Sequence, residues 1–167
     1  MKSYYENKFY KDFKDIESRK HIHIEVIRKY TYDWMPENSL VLNVGSGLSF
    51  ESIAFKDKNL EIYCVDASEK ALNKAREEGR CVEYKVSDCT EKISYGDSKF
   101  DVLLAYNLIE HLGNFNNFWS ECNRVLKLGG VLIISTPLLG YWRNRINLLL
   151  GKDIFSDEHP RLLTIDS

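Results

Sequence analysis

The stretch VLNVGSGLS, Val41–Ser49, sets the reading of this chain. Val41, Leu42 and Val44 are apolar, so it opens as a buried strand in which Asn43 is the one polar break. Gly45-Ser46-Gly47 then forces a tight turn, and a helix begins near Phe50. Glycine takes backbone angles closed to other residues and lets a ligand approach the main chain. Between a strand and a helix N-terminus, such a turn is a nucleotide-handling device. Gly-x-Gly turns also serve as plain connections, so the surrounding chain must decide.

The 167 residues, 44% hydrophobic and 29% charged, fit one globular domain with a real core. A net charge of -2, from 23 basic and 25 acidic residues, gives no reason to expect nucleic acid as a partner. Cys64, Cys81, Cys89 and Cys122 form no CxxC pair, so neither zinc nor a disulfide framework is expected. Free buried thiols point to a reducing, cytoplasmic compartment. The polar, aromatic start MKSYYENKFYKDF is no secretory signal, and no apolar run reaches the ~20 residues of a membrane span.

Outward from the glycine turn, strands and helices alternate. Tyr5, Phe9, Phe13 and Ile16 predict an amphipathic first helix, packed on the domain or closing over a ligand. Arg19–Tyr30 predicts a second, with Ile22, Val26, Ile27 and Tyr30 on one side; His21 and His23 do not share a helix face. Strands are expected at Leu40–Val44, Glu61–Val65, Val82–Val86, Phe100–Tyr106 and Val131–Thr136. Helices follow near Phe50, at Glu69–Glu78 with Ser68 as N-cap and Gly79 as stop, and at about Asn116–Leu128. The last carries Phe118, Trp119, Cys122, Val125 and Leu126 as its core stripe, and Gly129-Gly130 turns the chain into the fifth strand. A polar loop runs from Ser87-Asp88 to Ser98. This alternation implies an α/β fold, a doubly wound parallel sheet with helices on both faces. The organisation expected is a helical cap at 1–39, a core at 40–137 and a terminal segment at 138–167.

Ligands of such sheets sit outside the carboxyl ends of the strands. The unusual polar residues fall there: the glycine turn, then Asp66, Asp88 and Asn107 after the next three strands. Asp66, nineteen residues after Gly47, is placed to accept hydrogen bonds from two ribose hydroxyls, or is a solvated acid at a helix start. Asp88 can accept the exocyclic amine of adenine, with the Cys89 amide alongside, or merely form a turn. Phe50 stands where a G-x-G-x-x-G dinucleotide fingerprint has its third glycine, and no P-loop lysine is present. A pyrophosphate ligand, and with it an NAD-dependent oxidoreductase, is therefore disfavoured.

In order, VLNVGSGLS, IYCVDAS, VSDC, FDVLLAYNLIEHL and LKLGGVLIISTP resemble the class I S-adenosylmethionine-dependent methyltransferases, in the branch with a Glu-His-Leu-type signature after strand four. The resemblance covers about Leu40–Pro137. It implies a Rossmann-like sheet, here with five readable strands in order 3-2-1-4-5, and S-adenosylmethionine as cofactor with S-adenosylhomocysteine as product. It places Gly45, Ser46 and Gly47 under the methionyl part, Asp66 on the ribose, Ala67 beside the adenine, Asp88 and Cys89 at the adenine edge, and Asn107 near the methionine. Leu128-Gly129-Gly130 becomes a structural turn.

Asn43 stands where the family usually has an acid that orders the loop and the cofactor's amino group. An asparagine brings no charge to oppose the ammonium; weaker cofactor binding, tightened by Asn43→Asp, is the expectation. The family's sixth and seventh strands find no room after Pro137; either the sequence is a truncated form of a longer protein or another chain covers strand five, and a dimer or poor solubility is expected. General-base candidates are His111, Glu110 and His159. The run Asn107-Leu108-Ile109-Glu110-His111 lacks the first acid of a Glu-x-x-Glu-His site, so no metal is expected. Tyr141, Trp142 and Arg143 are acceptor-pocket candidates, and Ile146, Leu149 and Leu150 give Tyr141–Phe155 an apolar face. The expected function is methyl transfer to a small-molecule or glycan-like acceptor; an inactive cofactor-binding protein acting through association is the alternative.

Overall fold

The computed structural model describes residues 17, 18, 20–136, 146, 149 and 150. Within these, five parallel strands form one sheet in the order β3-β2-β1-β4-β5. They are β1 (Leu40–Val44), β2 (Glu61–Asp66), β3 (Glu83–Val86), β4 (Phe100–Tyr106) and β5 (Leu126–Ser135). The helices are α1 (Lys20–Thr31), α2 (Glu51–Ala54), α3 (Glu69–Glu77) and α4 (Phe115–Val125).

Period-two alternation in the central strands builds a core on each face. Leu42, Val44, Leu103 and Ala105 join Phe118, Cys122 and Val125 of α4 on one side. Val41, Val102, Leu104 and Cys64 join Ile27 of α1, Phe55 and Leu72 on the other. β1 and β4, at the centre, therefore pack apolar residues on both faces, with Asn43 the buried polar residue of β1. Helix α3 forms as the sequence predicts: Ser68 caps it by accepting from the Ala71 amide, Ala71, Leu72 and Ala75 are buried, and Gly79 ends it with φ +62°.

Several expectations are corrected. Ile27 and Thr31 are the buried residues of α1, while Ile22, Val26 and Tyr30 are exposed. The Ser87–Ser98 loop is not merely polar, because Ile93 and Tyr95 are buried under the sheet. In α4, Trp119 is exposed. Helix α4 ends at Val125 and β5 begins at Leu126, paired with Phe100, with no separate turn before it. The register slips between Phe100 and Val102, and Gly129, with φ +78°, sits inside this irregular strand. A Cβ on Gly130 would lie 2.9 Å from the Lys127 carbonyl and 3.1 Å from that of Asp101, so the pair serves a bulge.

The thiols differ from expectation too. Cys64 of β2 and Cys81, just before β3, are joined as a disulfide; Cys89 and Cys122 remain free and buried. The argument for a reducing, cytoplasmic compartment rested on four free thiols and loses its premise. No helix among the described residues is long and apolar enough to cross a membrane. The predicted first helix, Tyr141–Arg143 and His159 lie outside the described residues.

Candidate functional site

The glycine turn folds back over the end of β2. The amides of Gly45 and Ser46 both donate to the Val65 carbonyl, at 2.8 and 3.1 Å. Gly45 (φ +65°), Gly47 (φ +49°) and Ser49 (φ +51°) all take left-handed backbone, which costs a serine but not a glycine. A Cβ on Gly45 would come within 2.7 Å of Leu108, so the turn after β4 presses directly on the loop. Ser46 is buried and its hydroxyl has no hydrogen-bond partner among the described residues. An unpaired buried hydroxyl costs free energy unless a ligand supplies its partner.

Asp66, at the end of β2, clasps this loop. One carboxylate oxygen accepts from the Gly47 amide at 2.8 Å and the other from the Ser68 amide at 2.7 Å. It is 7% exposed, and burial lifts its pKa above the usual carboxylate range against the opposing effect of those amides. Ala67 beside it is half-buried. Asp88 forms a local turn: its Oδ1 accepts from the Thr90 amide at 2.9 Å and the Thr90 hydroxyl at 2.6 Å, and its Oδ2 has no partner among the described residues. The Cys89 side chain belongs to the core, and burial pushes its thiol up to about 12.

Beneath the loop lies a polar cluster that sequence reasoning missed. Asn43 donates to the Glu51 carboxylate at 2.8 Å, and Asn43 Nδ2 lies 3.4 Å from the Ser49 hydroxyl. Glu51 opens α2 and is 8% exposed, although an acid there reads as solvated. The Ser49 hydroxyl sits 3.3 and 3.1 Å from the sulfurs of Cys64 and Cys81. Arg80 donates to the Leu48 carbonyl, pairs with Glu17 and Glu78, and stacks its guanidinium 4.9 Å from the Phe50 ring centre. The Arg80-Cys81 dipeptide thus supports Leu48 and Ser49 from below. No local pattern in the sequence signals these contacts, because they join residues about thirty positions apart. The Asn43→Asp expectation changes here: an aspartate would face a second buried carboxylate at hydrogen-bond distance.

Burial also raises the Glu51 pKa, opposed by the Asn43 bond and by Arg80. A raised carboxylate binds its proton more tightly folded than unfolded. Its contribution to stability is complete below the unfolded value of about 4 and is lost as pH rises through the folded value. Glu51→Gln should therefore gain stability relative to wild type as pH rises from about 4 towards neutrality, checked by urea unfolding across that window.

After β4, Asn107 (φ +47°) donates its amide to the carbonyl and hydroxyl of Ser135, at 2.9 and 3.0 Å. The one-turn 3-10 helix Ile109–His111 follows, and Glu110 and His111 are both exposed on it. The structure thus gathers the loop, Asp66, Asp88, Asn107 and the Glu110-His111 turn at the carboxyl ends of β1–β4.

A family model described as "Methyltransferase domain" matches residues 42–134, more than half of the chain. The chain belongs to the class I S-adenosylmethionine-dependent methyltransferases. It is 31% identical over 127 residues to a probable S-adenosylmethionine-dependent methyltransferase of Mycobacterium tuberculosis, covering 75% of this chain and 44% of that one. It is 29% identical over 104 residues to the ubiquinone biosynthesis O-methyltransferase of Caulobacter vibrioides, covering 60% and 41%. This class I methyltransferase chain spans less than half the length of these relatives. Its fold matches the crystal structure of an S-adenosylmethionine-dependent methyltransferase of Thermotoga maritima with a TM-score of 0.71, at 21% identity, over 93% of this chain and 71% of the other.

Membership implies S-adenosylmethionine as the cofactor, and the class I methyltransferase site fits it. Ser46 offers an unpaired buried hydroxyl, the loop leaves glycine backbone open to close approach, and no lysine awaits a phosphate.

Proposed function

We propose that this chain transfers a methyl group from S-adenosylmethionine to a hydroxyl of a small-molecule or glycan-like acceptor. The observation that carries the proposal is the clasp between Asp66 and Gly47, beside the unpaired Ser46 hydroxyl, at the carboxyl end of the central strands. In this reading Gly45, Ser46 and Gly47 hold the methionyl side, Asp66 the ribose with Ala67 beside the base, Asp88 and the Cys89 amide the adenine edge, and Asn107 the methionine.

The bound sulfonium supplies an electrophilic methyl group and a neutral leaving group. The chain's own task is to position the acceptor and keep water out. An oxygen acceptor needs its proton removed, and the exposed Glu110-His111 turn stands beside the loop that Leu108 touches. His111 or Glu110 takes that proton; His159 remains a candidate outside the described residues. The O-methyltransferase among the relatives supports an oxygen acceptor. A second copy along β5, an edge strand among the described residues with Leu128 exposed, belongs to the same proposal.

Calorimetric titration tests it. S-adenosylmethionine and S-adenosylhomocysteine should both bind, and NAD should give no saturable heat. Binding of NAD with no response to the other two would assign the cleft to an oxidoreductase.

A further inference from the structure

We propose that Glu51 is a positioning residue for the cofactor. Held by Asn43, it sets a negative charge under the end of the cleft that takes the ammonium-bearing methionyl group. The inference rests on the S-adenosylmethionine reading above and goes beyond it, because it names the group that replaces a β1 acid.

Placement comes from the order of the sheet. Asp88, Asp66 and the glycine loop follow β3, β2 and β1, which are neighbours at about 4.8 Å per strand. A ligand with its base at β3 and its ribose at β2 has the ends of β1 and β4 left for its amino-acid group. Asn43 lies on β1, in register with Leu104 of β4. Glu51, bonded to it, is close enough to β4 for its charge to help raise the Tyr106 pKa, which burial raises most.

Fold stability alone does not account for the charge. A glutamine at 51 would accept the same hydrogen bond from Asn43 without burying an ionisable group. The cation whose charge opposes the rise of the Glu51 pKa is Arg80, and its guanidinium already serves Glu17, Glu78 and the Leu48 carbonyl. No salt bridge joins Glu51 to a cation among the described residues. The cofactor is cationic at its sulfonium and at its ammonium group. Its methionyl end also bears an α-carboxylate, so a buried carboxylate is electrostatically matched to the ammonium side of that end, and the short Asn43 bond fixes where that charge sits.

The test compares three ligands by calorimetry on the full chain: S-adenosylmethionine, S-adenosylhomocysteine and 5′-methylthioadenosine, which keeps base, ribose and sulfur but lacks the amino acid. Glu51→Gln should weaken the first two about tenfold, the scale of one charge-assisted hydrogen bond, and leave the third within about twofold. The swap Asn43→Asp/Glu51→Gln returns the carboxylate to β1 across the same hydrogen bond. It should bring S-adenosylmethionine back to within about threefold of wild type. Unchanged binding of S-adenosylmethionine in Glu51→Gln overturns the inference. So does an equal loss for all three ligands, which would mean a damaged loop, and so does a swap as weak as the single variant. If wild type binds none of the three, the cofactor reading itself fails and this inference falls with it.

Discussion

Asp66→Ala should lose at least about 100-fold in affinity for S-adenosylmethionine, and about 2–4 kcal/mol in stability. The stability figure follows from the clasp. Both carboxylate oxygens accept from backbone amides, those of Gly47 and Ser68, in a setting where the residue is 7% exposed. Removing the acceptor leaves two buried N–H groups unsatisfied, at about 1–3 kcal/mol each. The affinity figure follows from two ribose hydroxyls losing a charged acceptor, at about 1.5 kcal/mol or more apiece. Asp66→Asn keeps one acceptor oxygen and turns the other into a donor facing an amide, so it should fall between wild type and alanine while remaining better folded. Because the ribose is common to both, Asp66→Ala should weaken 5′-methylthioadenosine as much as S-adenosylmethionine, unlike Glu51→Gln. Calorimetry on both variants, with urea unfolding alongside, checks this. Wild-type affinity in folded Asp66→Asn and Asp66→Ala would remove Asp66 from the site.

The acid at Asp66 was legible because its signal is local to a strand end and its spacing from Gly47 reflects one strand–helix–strand unit. The sheet order was legible for the same reason: apolar runs such as Phe100–Tyr106 and capped helices such as Glu69–Glu77 are written in consecutive residues. What could not be read depends on contacts between distant positions. Glu51 looks like an ordinary first-turn acid, and only packing against Asn43 shows that it is buried. Leu108 reads as one apolar residue in a turn, yet its side chain packs onto Gly45, whose φ of +65° already favours glycine. Gly129-Gly130 reads as a turn, because a bulge inside a strand uses the same residue types. Asp88 sits between its two readings: the structure shows the turn through Thr90, which uses one carboxylate oxygen, and the second is the proposed adenine contact. Asn43 leaves β1 without a charge of its own, and only the structure shows that Glu51 brings a carboxylate to 2.8 Å from its side-chain nitrogen.

Reducing the Cys64–Cys81 disulfide should lower the unfolding free energy by about 3 kcal/mol, the loop-closure value for a bridge of this span. The two residues are 17 apart, and the closed loop contains the end of β2 and all of α3. The loss should be felt at the cofactor loop as well as globally. Ser49 takes a left-handed φ of +51° that its side chain opposes, and its hydroxyl packs against both sulfurs. Arg80, adjacent to Cys81, holds the Leu48 carbonyl. Opening the bridge frees Cys81 from β2 and so loosens the support for both loop residues. Thermal melts with and without a dithiol should differ by about 6–12 °C at this chain length. The double variant Cys64→Ala/Cys81→Ala should melt near the reduced wild type and ignore the reductant. Thiol titration of the unfolded, unreduced chain should count two groups, Cys89 and Cys122. Four titrating thiols, with melts unmoved by the dithiol, would mean that β2 and the start of β3 are held by packing alone.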